Sequence, residues 1–373
     1  MERPQKTTNE AIVIVCEGRD TEPAYIKELR EEMLKWHKNI YIQWVPTHDD
    51  AKNADNRDLH LKKLAKTKGH SRPSRSLSEV KGKKSGKFYW LMEEDTIELY
   101  DKYKMQPVRY VREAQLFLKY GGATEAWAVF DHDDFPARKD AWDCAAEEPK
   151  VEIAFNAIAF EEWLLLHFER NATDFKRSCC KNDKDDRGCG DSDIKPDRDC
   201  HGSECVAGRL RECKYIPHYS KADSNLFATY TRPRLNFLRI NAAWIKTLHA
   251  DDTPEYDKRP YTNFDRLLER MLGLEDRYVW LSNPESARID HCDLNIAIDS
   301  DSKSFTISNI GSRTFLFKYS ILDQEGHTIS DVSNRLILQA SATEMYLLDQ
   351  SSESTPAYIS LENNNIHYIL PIP

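Results

Sequence analysis

The sequence predicts an α/β protein, a parallel sheet flanked by helices, with a small β-sandwich at its C-terminal end. Three observations predict this. Short runs rich in Ile, Val and Phe alternate with stretches of helical periodicity through most of the chain. Two of these runs stop abruptly at acids, Glu17 and Asp131. Beyond about Asn283 the pattern changes to short strand-like runs separated by turn residues.

The elements follow in order. Ala11 to Cys16 reads as a buried strand that stops at Glu17-Gly18. A helix comes next: Asp20 or Thr21 can cap it, Pro23 suits its first turn, and Tyr25, Ile26, Leu29 and Met33 recur on one face. Tyr41 to Val45 predicts a second strand. Residues 49–87 form a basic, Ser- and Gly-rich insertion that carries Lys62, Lys63, Lys66, Lys81, Lys83 and Lys84. A helical pattern from Thr96 to Tyr120 has a break at Pro107 and stops at Gly121-Gly122. Glu125 to Phe130 is the next strand, ending in Asp131-His132-Asp133-Asp134, and Val151 to Phe155 another, leading into a helix from Phe160 to Phe168. Strands alternating with helices predict parallel pairing. Residues 171–213 read as an irregular Cys- and Asp-rich insertion, after which helices are predicted over Arg234 to Leu248 and Asn263 to Leu272. The predicted domains are therefore 1–282, with both insertions, and 283–373, the β-sandwich.

Bulk properties narrow the function classes. A chain of 373 residues is long enough for two cores, and 40% hydrophobic with 31% charged residues is ordinary globular composition. No apolar run approaches the roughly 20 residues that span a bilayer, and the N-terminal segment has no secretory pattern, so a cytoplasmic protein without a membrane partner is expected. Nine cysteines, mostly crowded into one polar segment, suit reduced thiols or a metal site better than a disulfide framework. The net charge of −9 argues against general coating of nucleic acid, although a local basic face can still bind a phosphate backbone. No Walker-type loop, nucleophile elbow or zinc-protease motif is present.

The chemistry rests on carboxylates. Ligands of open parallel sheets collect at the carboxyl ends of the strands, and Glu17, Asp131 and Asp133 all stand at such ends. Hard cations such as Mg²⁺ take oxygen ligands and keep several waters, so a few acids suffice. Such a metal stabilises charge developing on a phosphate and lowers the pKa of an attacking water, which points to phosphodiester hydrolysis. An Asp-x-Asp pair alone is weak evidence, since solvated loop acids are commoner. The upstream Glu17-Gly18 in a strand-loop-helix unit strengthens it.

Four segments carry a family resemblance: IVCEGRDTEPAYIKEL, VFDHDD, FEEWLLLHFE and YIPHYSKADSNLF. Together they resemble the signature blocks of the RloB family, in order, over roughly the first 280 residues. The resemblance implies a TOPRIM-like fold and a nuclease of bacterial anti-phage defence, related to AriB-type effectors that cut host tRNA and often encoded beside an AAA- or ABC-type ATPase. It implies that Glu17, Asp131 and Asp133 bind Mg²⁺ or Mn²⁺, with Glu17 also in proton transfer, and that Glu161 and His167 support the site. Asn156-Ala157-Ile158 stands where relatives tend to read Ser-Asn-Pro. The Cys-rich insertion and the β-rich end lie outside the resemblance.

Each residue also has a plainer reading. Glu17 can cap its loop, and Glu22 sits in a first helical turn, where an acid favours the helix dipole. Asp134 reads as a helix N-cap, His132 as a structural residue, His167 as either a core or a site histidine, and Trp163 to Leu166 as core. Cys179, Cys189, Cys200, Cys205 and Cys213, with Cys180 and His201 nearby, are candidate ligands of a structural Zn²⁺, although no Cys-x-x-Cys pair occurs among them. The lysines of the basic insertion are either a solvated loop or phosphate contacts for nucleic acid, and Tyr89 and Trp90 either strand core or stacking residues. The expected function is a metal-dependent endonuclease acting on RNA, including tRNA, or on DNA. The β-sandwich would dock an ATPase or mediate homo-oligomerisation; the rival is a non-catalytic regulatory or scaffold subunit.

Overall fold

The computed structural model describes residues 10–17, 21–33, 40–45, 106–120, 123–132, 138–176, 178, 205–220, 223, 225–282, 287–289, 293–299, 303–348 and 355–372. The chain divides into two compact units. The first takes Met1–Trp163, Thr173–Tyr230 and Thr253–Gly273, and the second takes Leu164–Ala172, Thr231–Asp252 and Leu274–Pro373.

In the first unit, strand β1 (Glu10–Cys16) leads into helix α1 (Thr21–Met33), then β2 (Ile40–Val45) and α2 (Gln106–Tyr120). Pro107 lies in the first turn of α2, where its missing N–H leaves no gap in the helix, and the rest of the predicted pattern, 96–105, lies outside the described residues. There follow β3 (Glu125–Asp131), α3 (Arg138–Ala146), β4 (Val151–Ala157) and α4 (Phe160–Leu165), a helix shorter than its apolar stripe predicts. Helix α5 (Val206–Glu212) corrects the irregular reading of its segment. It buries Val206, Ala207, Gly208 and Leu210, an apolar stripe hidden in the sequence by the polar residues that precede it.

The strand order is β2-β1-β3-β4, all parallel, closed at one edge by a two-residue antiparallel strand β5 (Tyr261–Thr262). Parallel strands bury both faces. Val13 and Val15 of β1, Ala128 and Phe130 of β3, and Ile153 and Phe155 of β4 share a core with Val111, Ala114 and Phe117 of α2 and Ala141 of α3. The opposite-facing Ile12 and Ile14 are equally buried.

A second packing centre is aromatic. Tyr25 meets Phe160, Phe227 and the later Phe264 edge to face, at centroid separations of 5.3, 5.6 and 6.2 Å. Such pairs contribute about 0.5–1.5 kcal/mol each beyond area burial.

The second unit contains α6 (Leu235–Lys246) and nine strands among the described residues. Between α6 and the first of them, the chain passes through β5 and α7 (Phe264–Leu272) of the first unit; Gly273 ends α7 at φ 65°, a left-handed C-cap that favours glycine. The strands are β6 (Arg277–Trp280), β7 (Ala287–Ile289), β8 (Leu294–Asp299), β9 (Ser304–Asn309), β10 (Phe315–Leu322), β11 (Thr328–Leu338), β12 (Thr343–Leu347), β13 (Tyr358–Asn363) and β14 (Ile366–Pro371). One sheet runs β11-β10-β13-β14-β6 and the other β12-β9-β8-β7. Alternation carries Ile296, Phe305 and Ile307 of one sheet and Phe317, Tyr319, Ile359 and Leu361 of the other into a single core.

Among the described residues, only the β6–β14 pair is parallel within these two sheets. Ile240 and Ala243 of α6 pack with Trp280, Leu322, Tyr358 and Ile369 of the larger sheet. Among the described residues, no helix is long and apolar enough to cross a membrane.

Candidate active site

The strand order reverses at β1, since β2 lies on one side of it and β3 on the other. In open α/β sheets the crevice at the carboxyl ends beside such a reversal is where ligands bind. Glu17 leaves β1 there, and Asp131 ends the neighbouring β3.

Glu17 joins the two strand ends twice. Its N–H donates to the Val129 carbonyl at 2.9 Å, and its Oε2 accepts the backbone N–H of Asp131 at 3.0 Å. The parallel ladder between β1 and β3 runs as far as Cys16 opposite Val129, so these bonds extend it through the turn. A chain leaving its pleat exposes unpaired N–H groups, and a carboxylate at this position takes one of them.

Asp131 is held from its other side as well. The backbone N–H of Phe160 donates to its carboxyl, and Nδ2 of Asn156, opposite it on β4, donates to Oδ1 at 3.4 Å. Burial, and then the charges of Glu22, Glu17 and Glu161, push the Asp131 carboxyl well above the usual carboxylate range. A negative charge added beside others in a partly dehydrated crevice is costly, so the protonated form gains.

Glu22 stands in the first turn of α1 and is only 8% exposed. Together with burial, its charge also raises the thiol of Cys16. Glu161 is buried on the first turn of α4, where its Oε1 accepts the hydroxyl of buried Tyr219 at 2.9 Å. Arg211 of α5 in turn donates to the Tyr219 carbonyl at 2.7 Å.

Of the residues predicted for the site, Glu17, Asp131 and Glu161 therefore come together. Asp133 lies outside the described residues, as do Asp134 and the basic insertion with Lys62, Lys63, Lys66, Lys81, Lys83 and Lys84. His167 is fully buried and belongs to the second unit, its backbone N–H bonded to the Leu164 carbonyl. His132 is buried, with its ring 6.1 Å from that of Phe155.

Cys179, Cys189 and Cys200 are outside the described residues, whereas Cys205 and Cys213 flank the two ends of α5. At 1.5 Å per residue their Cα atoms lie about 12 Å apart along the axis. Two sulfurs on one tetrahedral Zn²⁺, at ~2.3 Å each, are under ~5 Å apart, so one ion does not take both. Among the described residues no three or more His, Cys, Asp or Glu side chains form a group ready to hold a metal ion.

Residue patterns alone undervalued Glu22, which the helix dipole explains well enough, and gave no role to Tyr219, Asn156 or Thr262. Tyr219 had one signal, its place in the fourth family block.

These features define an α/β protein with a parallel sheet in which Glu17, Glu22, Asp131 and Glu161 gather where the strand order reverses. The RloB-like protein family matches residues 12–271, and the chain belongs to that family. No curated protein and no solved structure matches the chain.

Proposed function

We propose that the chain is a metal-dependent phosphodiesterase of TOPRIM-like fold, an endonuclease cutting RNA, including tRNA, or DNA. In this reading it is an effector of anti-phage defence controlled by an AAA- or ABC-type partner ATPase. The two sheets of the second unit, antiparallel apart from the β6–β14 pair, would form a sandwich that docks the partner or a second copy of the chain.

The observation that carries the reading is the Glu17–Asp131 bridge at the strand-order reversal, with Glu22 and Glu161 acting on the same carboxyl. The donor set fits a hard divalent cation, since every ionisable group in it is a carboxylate and their mutual repulsion is what a cation relieves. Glu17, Asp131 and Asp133 would hold Mg²⁺ or Mn²⁺, which when bound supplies charge stabilisation to the phosphate and a more acidic water.

The remaining work falls to the chain itself. The raised pKa of Asp131 sets proton and cation in competition for its carboxyl, so cation binding would strengthen as pH rises. Tyr219 fixes the Glu161 carboxylate, and Glu161 and Glu22 keep the crevice negative. A non-catalytic regulatory or scaffold subunit is the second reading; the acid set Glu17, Asp131 and Asp133 counts against it, because a scaffold does not require those acids.

The test is incubation of wild type, Glu17→Ala and Asp131→Ala with labelled tRNA, structured RNA and plasmid DNA, in Mg²⁺, Mn²⁺ or EDTA, with and without a co-expressed ATPase. Cleavage by wild type that falls at least a hundredfold in both variants and stops in EDTA supports the nuclease. No cleavage of any substrate under any condition moves the reading to the scaffold.

A further inference from the structure

Asp131 is steered by a relay that begins on the far edge of the sheet. The backbone N–H of Phe264 donates to Oγ1 of Thr262 at 3.1 Å. Thr262 Oγ1 then donates to Oδ1 of Asn156 at 2.8 Å, and Asn156 Nδ2 donates to Asp131 Oδ1 at 3.4 Å. Thr262 and Asn156 are both fully buried.

The relay has one sense. An amide has a donor end and an acceptor end, and turning it over would set Asn156 Oδ1 against the Asp131 carboxylate. The Thr262 hydroxyl, receiving the Phe264 N–H on a lone pair, has its proton free to hold the acceptor end of Asn156. The two-residue strand β5 pairs Thr262 directly with Asn156, which puts the hydroxyl within reach. Asn263 strengthens the junction by accepting the Phe155 N–H on its Oδ1 at 2.6 Å.

We propose that Asn156, locked by Thr262, is a positioning residue for Asp131. It holds Oδ1 and so fixes the orientation in which the Asp131 carboxyl would meet a divalent cation. The inference rests on the metal-site reading of Glu17 and Asp131 and adds to it a support running through β4 and β5. Groups that orient a metal ligand typically change metal affinity about 10–100-fold when removed.

The experiment measures Mn²⁺ affinity of the full chain, by the free-ion EPR signal, for wild type, Asp131→Ala, Asn156→Leu, Thr262→Val and Thr262→Ser, with the melting temperature of each. Loss of affinity of about tenfold or more in Asn156→Leu and Thr262→Val, with Thr262→Ser restoring it and melting temperatures unchanged, is the expected result. Wild-type affinity in folded Asn156→Leu and Thr262→Val, with binding lost in Asp131→Ala, overturns the relay and leaves the metal site standing. A wild-type chain that binds no Mn²⁺ overturns both. Should the buried substitutions not fold, ¹⁵N-asparagine labelling of the native chain decides: the Asn156 side-chain amide resonance shifts on Mg²⁺ addition if the relay holds, and a stationary resonance overturns it.

Discussion

Asp131 carries a conflict that its neighbours impose. Its folded pKa is raised by burial and by Glu22, Glu17 and Glu161, whereas in the unfolded chain it titrates near the ordinary ~3.9. A raised folded value means that the contribution to stability is fully present below the unfolded pKa and is lost as pH rises through the folded one. At neutral pH without metal, well above the unfolded value, Asp131 therefore weakens the fold. Asp131→Asn, which keeps the shape and removes the charge, should raise the metal-free melting temperature at pH 7, about 2–4 °C for each kcal/mol relieved, and the gain should shrink as pH is lowered. A scanning fluorimetry series over pH checks this, and an unchanged or lower melting temperature at pH 7 contradicts it. Glu17 and Asp131 were legible in the sequence because each ends an apolar run. Glu22 was not, since an acid in a first helical turn is already explained by the dipole and its burial depends on chain distant in sequence.

Helix α7 shows what one element holds in place. Phe264, fully buried at its start, lies 5.3 Å from the ring of Phe160, 5.0 Å from Trp163 and 6.2 Å from Tyr25. It thereby ties α1 and the start of α4 to the same segment that supplies Thr262. Phe264→Ala should cost about 3–5 kcal/mol in urea unfolding, from lost transfer energy and a cavity the aromatic cluster cannot close. A loss under ~1 kcal/mol would mean that the cluster collapses into the space. Strands β1, β3 and β4 and helices α1 and α7 were visible as periodicity, with boundaries close to those observed. Strand β5 and the four-residue β6 were not. Each is too short for a period and exists because a neighbour offers it hydrogen bonds, Asn156 and Ala157 for β5 and β14 for β6.

Taken whole, the molecule is two units, each built from three separated segments. The second unit gains β6 and α6 from before residue 283, and α6 covers Trp280, Leu322, Tyr358 and Ile369. A fragment of residues 283–373 would lose that cover and the parallel partner of β14. It should lack a cooperative thermal transition and bind a hydrophobic dye, whereas the full chain melts cooperatively; a sharp transition in the fragment by circular dichroism would show that α6 and β6 are dispensable. The sequence by itself determined the alternation of strand and helix, the change to antiparallel patterning, the acids that close β1 and β3, and the family they belong to, because each is a local pattern a few residues long. Only the tertiary structure decided that β3 lies beside β1, that Glu17 bonds the Asp131 backbone, that Asn156 of β4 pairs with Asp131 of β3, and that α6 joins the second unit. Those outcomes depend on which buried surfaces find one another, and a contact between residues a hundred positions apart leaves no trace in either segment read alone.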